Sequence, residues 1–245
     1  VRRLLPGPPA DLDDAALVEA YRPPSGSWLR VNFLASLDGA TTVAGRSRGL
    51  QAPGDLRVFR VLRALADVVL VGAGTAAAEG YRPMRADSPL GRLRMSIGRP
   101  PTAPIAVVSR RASLDPASEL ATGGASRTIL VTCASADAGR RAALAAVGVE
   151  VLVCGDDDVD LPLARARLAG AGLAQVTCEG GPQLLHATLR AGLDEFDLSI
   201  APALVGSGEI PLLREPLADV VPLQLTQLLE EDGMLFARYL PCAAR

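Results

Sequence analysis

Lysine is missing from this sequence: all 25 of its basic residues, in a chain of 245, are arginine. Codon bias in a GC-rich genome accounts for the composition, but the chemical consequence is exclusion. Schiff-base catalysis, a P-loop lysine on a phosphate and the lysine of a kinase are all ruled out. Histidine occurs once, so any Ser-His-Asp or Cys-His mechanism, and any His-rich metal site, would rest on His186 alone. That residue stands four positions into an expected helix, where a packed or half-exposed histidine is the ordinary case. It is not counted as a site residue, and no metal site is expected.

Aromatic residues make up only 3% of the chain while 49% is hydrophobic, so the core has to be built from Ala, Val and Leu. The four cysteines (Cys133, Cys154, Cys178, Cys242) form no Cys-x-x-Cys pair, and three of them end or follow apolar runs. They read as core thiols of a reducing compartment. No stretch is apolar for long enough to cross a bilayer, and the N-terminal Val1-Arg2-Arg3-Leu4-Leu5-Pro6 lacks a long apolar region. The expectation is a cytoplasmic protein. A net charge of −2 and a pI near 5.5 argue against nucleic acid or an acidic membrane as partner.

Residues 1–27 are rich in Pro and Asp and are expected to form a surface arm with one short helix at Asp13–Tyr21. Leu29–Ala35 is the first expected strand, and Asp38-Gly39 between it and Ala40–Val43 signals a hairpin. A helix opens at Pro53 and runs to about Ala66, with Leu56, Phe59, Leu62 and Leu65 as its core face. Asp67–Val71 is an apolar strand, turned by Gly72-Ala73-Gly74-Thr75 into a short helix. Residues 81–104, with five prolines, are expected as a long surface loop. Strands then alternate with helices: Ile105–Val108, Arg127–Thr132, helix Ala136–Val147, Val149–Val153, helix Leu161–Ala171, Ala174–Cys178, helix Pro182–Ala191. That order predicts an α/β fold with a mostly parallel sheet. Phe196–Leu204, Leu223–Leu229 and Met234–Leu240 have turns and no long helix between them, so antiparallel strands are expected at one edge. Residues 28–245 are read as one domain.

Two corners carry the chemistry. Glu179-Gly180-Gly181-Pro182 follows a strand and opens a helix. Its glycines allow close backbone approach, and the helix N-terminus suits a phosphate. No turn requires a glutamate there, so Glu179 is expected to face a second ligand. Gly72-Ala73-Gly74-Thr75-Ala76-Ala77 fits Gly-x-Gly-x-x-Ala after a strand, but the helix breaks at Gly80-Tyr81-Arg82-Pro83 and no Rossmann crossover follows. It reads either as a phosphate or ribose corner around Gly74 and Thr75 or as a plain tight turn. In Ser109-Arg110-Arg111, a serine and an arginine at a strand end suit a ribose 2′-phosphate, or the two arginines are solvated loop residues. Asp38 before Gly39 is what turn chemistry demands, with proton transfer as its alternative. On spacing alone, Arg63 on the first long helix points either into a cleft or to solvent.

Three segments resemble, in order, the reductase domain of riboflavin biosynthesis, in a form that stands apart from its usual deaminase half. They are Asn32-Phe33-Leu34-Ala35-Ser36-Leu37-Asp38-Gly39, the arginine helix running into Asp67-Val68-Val69-Leu70-Val71-Gly72-Ala73-Gly74-Thr75, and Glu179-Gly180-Gly181-Pro182. The resemblance implies the dihydrofolate reductase-like fold, a homodimer, and NADPH as cofactor. The implied reaction reduces a ribosylamino-pyrimidinone 5′-phosphate to its ribitylamino form, by hydride transfer to C1′ of the ring-opened imine. Thr75 and Glu79 would contact NADP, with Gly180, Gly181, Pro182 and Gln183 around its phosphates. Asn32, Ser47, Arg63 and Glu179 would hold the substrate, with Glu179 against the pyrimidine or sugar as the candidate catalytic group. The family often has aspartate at the Glu79 position and an aromatic at the Gly49 position. Its Leu-Thr-Val-Arg stretch is replaced by Tyr81-Arg82-Pro83-Met84-Arg85, which leaves the substrate-phosphate arginine open between Arg82 and Arg85. The His-x-Glu and Pro-Cys-x-x-Cys of a zinc deaminase do not occur. A pteridine reductase of the same fold, acting for instance on dihydrofolate, and a non-catalytic NADP-binding regulatory module are the other readings.

Overall fold

Val68-Val69-Leu70-Val71 carries no polar residue, and a strand of that kind has to be covered on both faces. In the computed structural model, which describes residues 1–242, it lies inside a single mixed sheet with helices on each side. The chain begins with β1 (Arg2–Leu5), β2 (Ala10–Asp11), α1 (Asp14–Ala20), β3 (Trp28–Ser36) and a 3-10 turn at Ser47–Leu50. It continues through α2 (Pro53–Leu65), β4 (Val68–Gly72), α3 (Ala73–Ala78), α4 (Pro89–Ser96), β5 (Ile105–Val108), α5 (Glu119–Thr122) and β6 (Thr128–Thr132). Then come α6 (Ala138–Ala146), β7 (Glu150–Val153), α7 (Leu161–Gly170), β8 (Gln175–Cys178) and α8 (Pro182–Ala191). Last are β9 (Glu195–Ala201), β10 (Leu223–Glu231) and β11 (Met234–Pro241). The end of the expected 28–245 domain, residues 243–245, lies outside the described residues.

The strand order is β2-β1-β10-β11-β9-β3-β8-β4-β5-β6-β7. From β9 to β7 neighbouring strands run parallel, and from β2 to β9 they run antiparallel. This is the expected mostly parallel sheet with an antiparallel edge. Alternation along each strand divides the core. Val68 and Leu70 join Val31, Phe33, Val176 and Cys178 in a cluster with Leu161, Leu168, Leu184 and Leu185 of α7 and α8. Val69 and Val71 face the other way, with Val107, Leu130, Ala76 of α3 and Leu144 of α6.

Four expectations change. Residues 1–27 do not lie on the surface as an arm: β1 pairs with β10, and α1 buries Leu17 and Val18 against α2 and β11. A strand whose partner is more than 200 residues away leaves no local signal. Ala40–Val43 forms no hairpin strand; Ala40 makes one bridge to Pro211, and the segment bonds to the loop before β10. On α2, Leu56 is exposed, and the buried face is Val58, Val61, Leu62 and Leu65. The 81–104 stretch is not all loop. Ser88 accepts from the Gly91 N–H and Pro89 takes the first helical position, which starts α4. Its arginines hid the helix, yet Arg94 is 2% exposed. The Arg94 guanidinium donates to the carbonyls of Arg63, Ala64 and Ala66, closing the open end of α2.

Candidate active site

β8 lies between β3 and β4, although the chain visits β4 through β7 first. Strand insertion of this kind opens a crevice at the carboxyl ends of the strands. The last residues of β8 divide between the two faces. Cys178 faces α7 and α8; by alternation, Glu179 points to the α2 side; Gly180 and Gly181 then turn the chain into α8.

On the α8 side is a cleft of about 740 Å³, lined among others by Gly74, Thr75, Ser109, Arg110, Gly181, Pro182 and Gln183. Seven of the nine expected cofactor residues therefore share one cavity, whose size is that of a small-molecule site. The glycines are required by packing. A Cβ on Gly181 would overlap Thr75 Oγ1, and one on Gly180, at φ +74°, would overlap the Phe33 ring. The Gly180–Gly181 peptide is cis, and the Gly180 carbonyl accepts from the Gly72 N–H at 2.7 Å, tying the two corners together. α8 starts without a side-chain cap, so its first N–H groups stay available to an anion. Arg111 and Arg214 add cationic wall, and Asp158 and Glu215 acidic wall. Arg111 belongs to the Ser109-Arg110-Arg111 strand end noted in the sequence; Arg214, Asp158 and Glu215 carried no signal there, because each stands in a loop without periodic pattern. The Ser109 hydroxyl is engaged by the Ser113 N–H and hydroxyl, both at 2.9 Å, and so holds the 109–113 turn. His186 also lines the cleft, with Nδ1 3.5 Å from Glu215. This donor set fits the phosphates and ribose of a dinucleotide.

On the α2 side, Glu179 meets Arg63 in a two-pronged pair: Nε donates to Oε1 at 2.7 Å and Nη2 to Oε2 at 2.6 Å. The Tyr81 hydroxyl donates to Oε2 at 2.5 Å. The Arg63 guanidinium lies 4.3 Å from the Phe59 ring centroid and 5.1 Å from that of Tyr81. Burial opposes the Arg63 charge, but the Glu179 carboxylate outweighs it and the pKa is raised. Burial, and then the Glu179 charge, push the Tyr81 hydroxyl well above its ordinary range, so at neutral pH it stays a donor. Both Glu179 oxygens are thus held by protein donors.

Glu79, which lines no part of the cleft, accepts from the Ser47 N–H at 2.8 Å and brings the 47–50 turn to the end of α3. Gly49 in that turn sits against Val43, where a Cβ would come within 2.6 Å of the valine Cβ. This chain has no room for an aromatic there unless Val43 shifts. Asn32 is half-buried on β3, in register with Asp197. Arg82 and Arg85 are over 70% exposed and pair with Glu119 and Asp87, so the structure does not draw them to the Arg63 cluster. Asp38 is a turn residue whose carboxylate accepts from Ser36 Oγ and from the N–H groups of Val205 and Gly206.

Tyr81 is the site residue that the sequence reading passed over. Gly80 has φ +67°, the Gly80 N–H bonds Ala77 O, and the Tyr81 N–H bonds Ala76 O. That is a Schellman stop, in which an apolar residue just after the glycine packs back on the structure. Gly80-Tyr81 read as a helix break was the available signal.

Comparison with known proteins adds to this geometry. A 2,5-diamino-6-ribosylamino-4(3H)-pyrimidinone 5′-phosphate reductase of Methanothermobacter thermautotrophicus is 30% identical over 204 residues, covering 81% of this chain and 90% of that protein. The riboflavin biosynthesis protein RibD of Bacillus amyloliquefaciens is 28% identical over 210 residues, covering 82% of this chain but 54% of the relative, so the chain spans about half its length. Among solved structures, a pyrimidine reductase-like protein from Corynebacterium diphtheriae superposes with a TM-score of 0.83 at 26% identity, over 95% of this chain and all of the other. A deaminase/reductase from Thermotoga maritima shares the fold alone, at TM-score 0.68 and 17% identity, over 89% of this chain and 57% of that one. The family model for the RibD C-terminal domain matches residues 27–232, and the chain belongs to that family.

Proposed function

We propose that this protein is an NADPH-dependent reductase that converts a ribosylamino-pyrimidinone 5′-phosphate to its ribitylamino form by hydride transfer to C1′. The observation that carries the reading is the division of one strand end. Glu179, held to Arg63, closes the α2 side, while Gly181, Pro182 and Gln183 line the nucleotide cleft on the other. A polar, charge-balanced cluster and a dinucleotide-sized cleft therefore meet across two residues of backbone. The named activity of the Methanothermobacter relative matches that arrangement.

When bound, NADPH supplies the hydride, and the protein's share is position and electrostatics. Thr75, Gly181 and Gln183 would border the phosphates, and Arg110 the ribose phosphate. Arg63 keeps N–H groups free of Glu179, and these suit pyrimidine carbonyl oxygens. Glu179 keeps the guanidinium in place and balances its charge. Arg82 and Arg85, free of the buried core, are the two candidates for the substrate phosphate.

The test is NADPH oxidation followed by absorbance with the pyrimidinone phosphate and, separately, with dihydrofolate. Turnover of the first alone supports the proposal. Turnover of dihydrofolate alone makes the protein a pteridine reductase. Tight NADPH binding with neither turned over leaves a regulatory nucleotide-binding module.

A further inference from the structure

The Arg63–Glu179 pair has an inside and an outside. Glu179 is 3% exposed in its side chain, and its oxygens receive Arg63 twice and Tyr81 once. Arg63 is 21% exposed, and two of its five N–H donors are used on Glu179. The open end of the pair is therefore the guanidinium. Its carboxylate is turned into the protein.

A guanidinium on a long stem stays in one place only if its plane is fixed. Two observations put that task on Tyr81. The Arg63 guanidinium lies over its ring, 5.1 Å from the centroid, as it lies over the Phe59 ring at 4.3 Å. Its hydroxyl shares Oε2 with Arg63 Nη2, so the carboxylate cannot rotate without losing both bonds. The backbone then fixes Tyr81 itself through the stop at Gly80. We propose that Tyr81 is a positioning residue: it sets the plane of Arg63 so that the free guanidinium edge meets the pyrimidine, and it touches neither reacting atom. This rests on the reductase reading above, and it adds a residue to the substrate side of the site.

Steady-state kinetics of Tyr81→Phe, with Tyr81→Leu as the larger lesion, test it. Phe keeps the ring and loses the hydroxyl. The expected result is a rise of about tenfold in KM for the pyrimidine substrate, the order of one charge-assisted hydrogen bond. kcat and KM for NADPH should stay within about twofold. Leu should raise KM further, because the stacked face is lost as well. A kcat loss in Tyr81→Phe with KM unchanged would overturn the proposal, placing the hydroxyl at the reacting atoms. Equal rises in both KM values would also overturn it, as a general structural effect. A second readout needs no substrate: hydrogen exchange of the Arg63 Nε–H by NMR in the free protein. Faster exchange by about tenfold in Tyr81→Phe is expected, and an unchanged rate overturns the positioning role. If the wild-type protein fails to reduce the pyrimidine, the reductase reading falls, while the exchange measurement still decides the role of Tyr81.

Discussion

Arg63 and Glu179, 116 positions apart in the chain, form a two-pronged ion pair at 2.6 and 2.7 Å, with the carboxylate almost fully buried. A paired guanidinium and carboxylate held this way act as one neutral unit. Removing either charge leaves the other buried and uncompensated, at a cost of about 3–5 kcal/mol when the site is fully dry. Arg63 is one-fifth exposed, so the lower end of that range applies.

Glu179→Gln should therefore lower turnover far more than it lowers NADPH affinity. The amide still accepts one hydrogen bond but no longer balances the Arg63 charge. NADPH binding read by fluorescence titration and kcat read by NADPH oxidation separate the two. Equal losses would move Glu179 from the substrate side to the cofactor side.

Arg110 lines the cleft and is exposed, with no shared core to disturb. Arg110→Ala should weaken NADPH and spare NADH, because only NADPH carries the 2′-phosphate. The loss expected for one charged hydrogen bond is about 1.5–3 kcal/mol, or roughly ten- to a hundredfold. An unchanged NADPH/NADH preference would remove Arg110 from the cofactor site.

Arg94 donates five hydrogen bonds to main-chain carbonyls, three of them at the end of α2. Arg94→Met fills the same space but leaves those acceptors without a donor. A loss of about 3 kcal/mol is expected, which in a domain of this size lowers Tm by about 6–12 °C. A calorimetric shift below about 2 °C would show that water replaces the guanidinium.

The Asp38 pKa is lowered to about 2, chiefly by the Ser36 hydroxyl and then by the Gly206 and Val205 N–H groups. A carboxylate depressed below its unfolded value of about 3.9 stabilises above that value, and the contribution fades as pH falls through the folded pKa. Amide protection at Val205 and Gly206 should hold down to about pH 4 and decline toward pH 2. In Asp38→Asn it should be low throughout. Parallel loss in both proteins would mean that Asp38 does not hold this loop.

Local pattern carried much of this architecture. The apolar runs of β4, β5, β6 and β8 could only be buried strands, and Pro182 marked the first residue of α8. The glycine corner was legible because it is contiguous: Glu179, Gly180, Gly181 and Pro182 are neighbours in the chain, and their backbone requirements are local. Patterns with a distant partner were silent. β1 is a four-residue strand that joins the main sheet only through β10, and Tyr81 has no meaning until Glu179, 98 residues later, is set beside it.

The amino-acid sequence by itself determined the alternation of elements, the exclusion of lysine chemistry and the two glycine corners, since each follows from residue type and spacing. Tertiary structure alone decided which way Glu179 faces. Insertion of β8 between β3 and β4 puts its carboxylate under α2, where burial favours an arginine partner over solvent, and leaves the guanidinium as the exposed end of the pair.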